Sequence, residues 1–282
     1  MTITADIQEK NIASYGTPVY SLFQAIEVDT LERKNLELLA AGTLGAMRVR
    51  DFFTPEQCAE IMRSLEDCEM GSYDEQLVQP RVPKLGPATY DYYTRYADKQ
   101  LPDAYWEHTE QSNKSRATLL FGGDPLDAAT EKIGKAWGGP IANATSEGRA
   151  MFAGMIRESI KGVRMHFDEI VREIPGAVDE PPICQLAFNV HLAMPESGGD
   201  TTIYRRRWKP TDELPENRDS YGYAEHIAAD EPALTVRAAV GDAMFFDPRN
   251  YHIVRPNTAE GRRVTLSFFV GITGSGKLIV WS

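Results

Sequence analysis

The chain has 282 residues but only five histidines: His108, His166, His191, His226 and His252. One of them opens the triplet His166-Phe167-Asp168. With 41 acidic residues in the chain, chance alone supplies roughly 0.7 His-x-acid triplets, so the triplet gains weight only from its context. That context, VRMHFD, reads as a strand, where residues two apart project to the same face. On a strand His166 and Asp168 can hold one ion together; on a helix they would diverge. His252 follows GDAMFFDPRNY roughly 85 residues further on, and Arg263 comes eleven residues after it, in RRVTLSFFVG. Strand alternation there puts Arg263, Thr265 and Ser267 on one face and Arg262, Val264, Leu266 and Phe268 on the other.

Two imidazoles and one carboxylate make a facial triad, which leaves three positions on an iron open for a co-substrate and oxygen. A guanidinium beside two hydroxyls on the inward face of an apolar strand suits a carboxylate, because the planar fork matches it in bidentate fashion. Taken alone, Arg263 would read as a surface or edge-strand charge. With the triad, the charges balance: ferrous iron, Asp168, a dianionic 2-oxo acid and Arg263 sum to zero. That limits the cost of burying the assembly.

The elements that must carry these residues show in the patterning. Leu31, Asn35 and Leu38 follow a helical rhythm that Gly42 can stop, and Met47–Val49 reads as a short strand. Thr54, Pro55 and Gln57 then signal the start of an amphipathic helix through Leu65. Residues 70–110 are aperiodic and aromatic, with Tyr73, Tyr90, Tyr96 and Trp106 among them. They are either a lid over a site or loop packing on the core. LDAATEKIGKAW is a further helix, ended by Gly138. From about residue 150, short strand-like runs alternate with turn signals, including MFAGMIRESIKGVRMHF, ICQLAFNVHLAM, TTIYRRRW and RRVTLSFFVGI. The pattern predicts a mainly β sandwich or barrel with flanking helices.

Composition is that of a globular chain, 42% apolar and 25% charged, near the upper size of a single core at roughly 250–300 residues. We expect an N-terminal extension with a helix over 1–45 and one domain over 46–282, with its metal-binding core in 147–282. The formal charge of −11 argues against nucleic-acid and membrane-surface partners. Three cysteines without metal-type spacing, an N-terminus with no apolar run, and no stretch of about 18 apolar residues point to the cytoplasm.

The pattern H-F-D … H-(x10)-R resembles the Fe(II)/2-oxoglutarate-dependent oxygenases. Over 147–282, EGRAMFAGMIRESIKGVRMHFDE, MPESGGDTTIYRRRWKP, VGDAMFFDPRNYHIV, GRRVT and the terminal VWS are similar to one branch. That branch holds the free-standing hapalindole-type alkaloid halogenases and the N-succinyl amino-acid hydroxylases. The resemblance implies a double-stranded β-helix (a cupin-like jelly roll), with Fe(II), 2-oxoglutarate and O2 as cofactors. It implies iron ligation by His166, Asp168 and His252. Arg263 would pair with the distal carboxylate of 2-oxoglutarate, with Thr265 assisting and Arg262 as second choice. Arg157 is a further candidate for an anionic ligand. The halogenases carry Gly where this chain has Asp168, so the resemblance implies hydroxylation of an unactivated C–H, with release of succinate and CO2. The substrate would be a small molecule: an amino acid, an N-acyl amino acid or a specialised-metabolite intermediate.

Other features have two readings each. His191 either lines the pocket or is a hydrogen-bonded core histidine, the commoner case. His108 and His226 sit in polar surroundings and are expected to be solvated, and Cys184 is expected in the core. Arg205-Arg206-Arg207 either capture a substrate carboxylate or form the charged margin of an edge strand, the reading we favour. The long acidic segment 209–232 is expected to be a lid or disordered. A 2-oxoglutarate-independent cupin-type metalloenzyme and a non-catalytic binding module remain the alternative functions, and a homodimer is open.

Overall fold

The computed structural model describes residues 23–76, 78–93 and 100–282. Residues 1–22 of the expected extension, and Tyr96 of the aromatic stretch, lie outside the described residues. The long apolar run Pro182–Ala193 is the centre of the larger sheet. It pairs antiparallel with Ala243–Phe246 on one side and Val264–Thr273 on the other. Val264–Thr273 in turn meets Met155–Glu158 along its first half and Leu278–Trp281 along its second. The smaller sheet runs in the order Ala233–Val236, Thr201–Arg207, Asn250–Val254, Val163–His166. From Met155–Glu158 to Thr201–Arg207, and again from Ala233–Val236 to Val264–Thr273, successive strands alternate between the two sheets, and this makes the double-stranded β-helix.

Both faces of the larger sheet are covered, so its strands are apolar on one side and selectively polar on the other. The outer face packs Phe188, Val190, Leu266 and Phe268 with Leu36, Leu39, Ile61 and Ile133 of the flanking helices Arg33–Ala40, Pro55–Leu65 and Pro125–Trp137. A buried Leu or Ile among these contributes about 2–5 kcal/mol against truncation to Ala. The predicted cap is formed: Gln57 N donates to Thr54 Oγ1 at 3.2 Å, and Thr54 N donates to Gln57 Oε1 at 2.9 Å.

Several expectations change. MFAGMIRESIKGVRMHF is two strands, Met155–Glu158 and Val163–His166, in different sheets. The turn between them needs Gly162, whose φ is +78° and where a Cβ would stand 2.5 Å from Val254 O. The aromatic stretch leads into a 14-residue helix, Asp103–Arg116, that is polar nearly all round and therefore has no amphipathic signature. Thr201–Arg207 pairs with Asn250–Val254 on one side and, over Thr201–Tyr204, with Ala233–Val236 on the other. Arg205 N–H still donates to Pro232 O at 2.7 Å, so the edge-strand reading is confined to Arg206 and Arg207. Residues before 46 are not separate from the sheet, since Ala25–Val28 pairs in parallel with Ala46–Val49. Among the described residues no helix is long and apolar enough to cross a membrane.

Candidate metal centre and its cavity

His166 closes the strand Val163–His166, and strand register sets it directly opposite His252. Their rings lie 4.2 Å apart between centroids. Asp168 falls just past the strand end, where its N–H donates to Pro248 O at 2.9 Å and its carbonyl accepts from Gln185 Nε2 at 3.2 Å. Phe167, between them, is anchored in the aromatic cluster of Tyr223 and Tyr251. With Phe167 held there, His166 and Asp168 converge although the strand has ended. The Asp168 carboxylate lies 3.6 Å from His166 Nε2 and 3.4 Å from His252 Nε2. One donor atom from each residue falls within 4.8 Å of the others.

The two imidazoles are oriented alike. Nδ1 of His166 is 2.7 Å from Arg164 O, and Nδ1 of His252 is 3.0 Å from Asn250 O. A carbonyl can only accept, so each Nδ1 carries the proton and each Nε2 keeps its lone pair toward Asp168. Burial, with His252 beside it, pushes His166 down to about 4, which keeps it neutral near pH 7. Burial pushes the Asp168 carboxyl up, but the two histidines and Arg157 outweigh this and leave it below its ordinary value. Neutral nitrogens with one carboxylate are the donor set of a first-row divalent metal, so the residues fit iron.

The triad forms part of the wall of a cavity of about 1390 Å³. The 70–110 segment contributes Tyr73 and Tyr90 to its lining, and the acidic segment contributes Tyr221 and Tyr223. That acidic segment is folded, as 3₁₀ turns over Pro210–Glu213 and Pro215–Asn217 followed by a small hairpin. Asn189, Ser267 and Glu173 also line the cavity; Asn189 and Glu173 were not singled out from sequence as site residues. Asn189 and Ser267 are cross-strand partners, and Ser267 Oγ donates to Asn189 Oδ1 at 2.7 Å. The alternation around Arg263 had already put Ser267 on the inner face. Glu173 lies in the single helical turn Ile170–Glu173, where no sequence signal marks it.

Arg263 is buried, with Nε donating to Gly199 O at 2.8 Å and Nη1 to Ser159 Oγ at 2.9 Å. Its Nη2 is 3.3 Å from Thr201 Oγ1 and 3.5 Å from His191 Nε2. Among the described residues no carboxylate pairs with it, and burial followed by repulsion from Arg157 pushes it down to about 9. Gly199 makes room for it, since a Cβ there would stand 3.0 Å from Arg263 Cδ. Arg262 points away and pairs with Glu158 at 2.8 Å. Thr265 is fully buried, with Oγ1 2.9 Å from Ser267 Oγ. Arg157 lines the cavity across from Thr265, with Nη2 3.3 Å from Asn189 Oδ1.

His191 follows the core reading. Its Nδ1 is 3.2 Å from Asp242 O, and burial with Arg263 nearby pushes it down to about 3, so it meets Arg263 as a neutral acceptor. His226 is exposed as expected, but His108 is half-buried, with Nδ1 2.9 Å from the Tyr92 hydroxyl. Neither Arg206 nor Arg207 is free: Arg206 pairs in bidentate fashion with Asp212 at 2.7 and 2.8 Å, and Arg207 pairs with Asp247 at 2.6 Å.

Comparison with known proteins agrees with this geometry. The chain is 38% identical over 264 residues to the L-gamma-glutamyl-L-propargylglycine hydroxylase of Streptantibioticus cattleyicolor, covering 93% of this chain and 97% of the relative. It is 30% identical over 137 residues to leucinostatins biosynthesis cluster protein S of Purpureocillium lilacinum, covering 47% and 56%. Its fold is similar to that of an N-substituted L-amino acid dioxygenase from Burkholderia ambifaria, with a TM-score of 0.59 at 12% identity over 89% of this chain and 91% of that one. The model of the carrier-protein-independent halogenase WelO5 family matches residues 22–282, and the chain belongs to that family.

Proposed function

We propose that the chain is an Fe(II)- and 2-oxoglutarate-dependent hydroxylase of a small amino-acid-derived molecule, releasing succinate and CO2. The observation that carries this reading is the convergence of His166, Asp168 and His252 within 4.8 Å on the wall of one large cavity. Fe(II) held by these three residues would supply O2 activation coupled to decarboxylation of 2-oxoglutarate. The protein's part is orientation. The Nδ1 bonds fix both imidazoles, and the Asp168 carboxylate fills the position a halide would need, which favours hydroxylation over chlorination within this family. Arg263 takes the distal carboxylate of 2-oxoglutarate, with Thr201, Ser159 and His191 holding its guanidinium in place. Thr265 acts one step back, through Ser267. Aromatic side chains on the cavity wall keep water from the reacting centre.

The 38% relative is named as a hydroxylase of a γ-glutamyl amino acid, and this supports an amino-acid-derived substrate. A buried Arg263 without a carboxylate partner favours the 2-oxoglutarate reading over a 2-oxoglutarate-independent metalloenzyme, which has no use for that charge. Free Cys58, Cys68 and Cys184 suit a reducing compartment, and we place the enzyme in the cytoplasm. The test is incubation of iron-loaded protein with 2-oxoglutarate, O2, chloride, L-amino acids and their γ-glutamyl dipeptides, followed by mass spectrometry. The expected result is succinate in step with a product that gains one oxygen. A chlorinated product, or turnover that ignores 2-oxoglutarate, would overturn the reading.

A further inference from the structure

The charged groups lining the cavity can be accounted for one by one. Asp91 pairs with Lys84 at 3.0 Å, Arg172 with Glu169 at 2.6 Å, and Arg218 with Glu213 at 3.5 Å. Asp168 belongs to the metal triad. Two groups are left. Arg157 has neutral neighbours, the Asn189 amide oxygen and the Tyr73 hydroxyl, and no carboxylate. Glu173 has the Tyr90 hydroxyl and the Glu169 N–H, the latter at 2.7 Å, and no cation. Among the described residues, the lining therefore offers a ligand one guanidinium without an anion and one carboxyl without a cation. Burial and then Asp168 push the Glu173 carboxyl up to about 8, so it takes on its charge when a cation is seated beside it.

We infer that the substrate is an amino acid or short peptide that keeps both a free ammonium and a free carboxylate, the ammonium seated at Glu173 and the carboxylate at Arg157. The inference rests on the proposed hydroxylase reading, through its charge balance. Ferrous iron, Asp168, dianionic 2-oxoglutarate and Arg263 sum to zero, so the co-substrate leaves Arg157 and Glu173 to the substrate. Both line the same cavity as His166, Asp168 and His252. A zwitterion matched to these two charges satisfies both, whereas an N-acylated amino acid leaves Glu173 without a cation. The two carboxylate sites also differ in position: Arg157 lines the cavity, whereas Arg263 is buried and is not part of that lining.

The experiment uses the full chain with Fe(II) and 2-oxoglutarate under anaerobic conditions, and binding is read by visible absorption and by thermal shift. The probes are the common L-amino acids and their γ-glutamyl dipeptides, each beside its N-acetyl and its C-terminal amide form. At least one zwitterion is expected to bind, with each blocked form weaker by about 10- to 100-fold, the usual effect of losing a charged hydrogen bond. Glu173→Gln should remove the preference over the N-acetyl form and leave the preference over the amide. Arg157→Gln should do the reverse. These readouts are ratios within one protein, so partial misfolding cannot mimic them. Binding of no zwitterion, equal binding of the blocked forms, or a loss of 2-oxoglutarate affinity in Arg157→Gln would overturn the inference. If the unvaried protein shows no absorption band with Fe(II) and 2-oxoglutarate alone, the hydroxylase reading itself has failed.

Discussion

His166 and His252 face each other across paired antiparallel strands, and each gives its Nδ1 proton to the backbone carbonyl two residues before it, Arg164 O and Asn250 O. The same local bond on both strands aims both Nε2 atoms at one point beside Asp168. No side chain supplies these orienting bonds, so the strands themselves preset the site.

Removal of either imidazole should therefore cost the metal and little else. His166→Ala and His252→Ala are each expected to weaken Fe(II) or Co(II) binding by at least about 100-fold, more than the loss of an orienting neighbour. Calorimetric metal titration and circular dichroism on the same samples check this. Metal binding that survives both substitutions would remove these residues from the ligand set.

Asp168→Gly should open the third protein position. Hydroxylation is expected to fall at least about 100-fold, with weaker metal affinity, while the fold is kept. Product analysis with chloride present is the measurement. A Gly variant that hydroxylates as well as the parent shows that Asp168 is not a ligand.

Arg263 is a buried cation without an anion, so its removal should not harm the protein when 2-oxoglutarate is absent. For Arg263→Met we expect an apo melting temperature equal to or above that of the parent. In the parent, 2-oxoglutarate at 100 times its Kd should add about 2.7 kcal/mol of stability, and the variant should lose that shift. Scanning fluorimetry reads both quantities. A 2-oxoglutarate shift retained in the variant contradicts the role assigned to Arg263.

The Arg206–Asp212 pair makes a different prediction, for stability. Burial pushes the Asp212 carboxyl up, but hydrogen bonds from Arg206, the Lys209 N–H and Tyr251 outweigh it and leave the folded value low. A carboxyl depressed in the folded state stabilises fully above its unfolded pKa, about 3.9, and that contribution is lost as pH falls through the folded value. Asp212→Asn leaves Arg206 buried without its anion and should cost about 3–5 kcal/mol near pH 7. Urea unfolding at pH 7 and below pH 4 should show the gap between parent and variant narrowing on the acid side. A constant gap contradicts the ion-pair account.

The site was more legible in the sequence than the surfaces around it, for a physical reason. His166 and Asp168 are two residues apart and converge although the strand ends at His166, so their spacing carried much of the information, while His252 joins them only through strand pairing. Arg263 could be separated from Arg262 by alternation alone, and the structure puts Arg262 in an ion pair with Glu158, away from Arg263's buried setting. The setting of the arginine run 205–207 was only partly legible because an edge is a property of the sheet. The chain leaves Arg207, traverses the acidic segment and returns as Ala233–Val236, which covers Thr201–Tyr204 and stops short of Arg206 and Arg207. Helix Asp103–Arg116 was missed because, beyond Tyr105, it buries Thr109, Ser112 and Arg116 in place of an apolar stripe. Glu173 becomes visible only once the cavity is closed.

The most direct test of the metal and co-substrate reading is anaerobic titration of Fe(II) and then 2-oxoglutarate into the apoprotein, followed by visible absorption. A weak charge-transfer band that grows with 2-oxoglutarate, and is absent in His252→Ala and Arg263→Met, is the expected result. Iron bound without any band on adding 2-oxoglutarate would contradict the co-substrate assignment, and failure to bind iron would contradict the enzyme reading altogether.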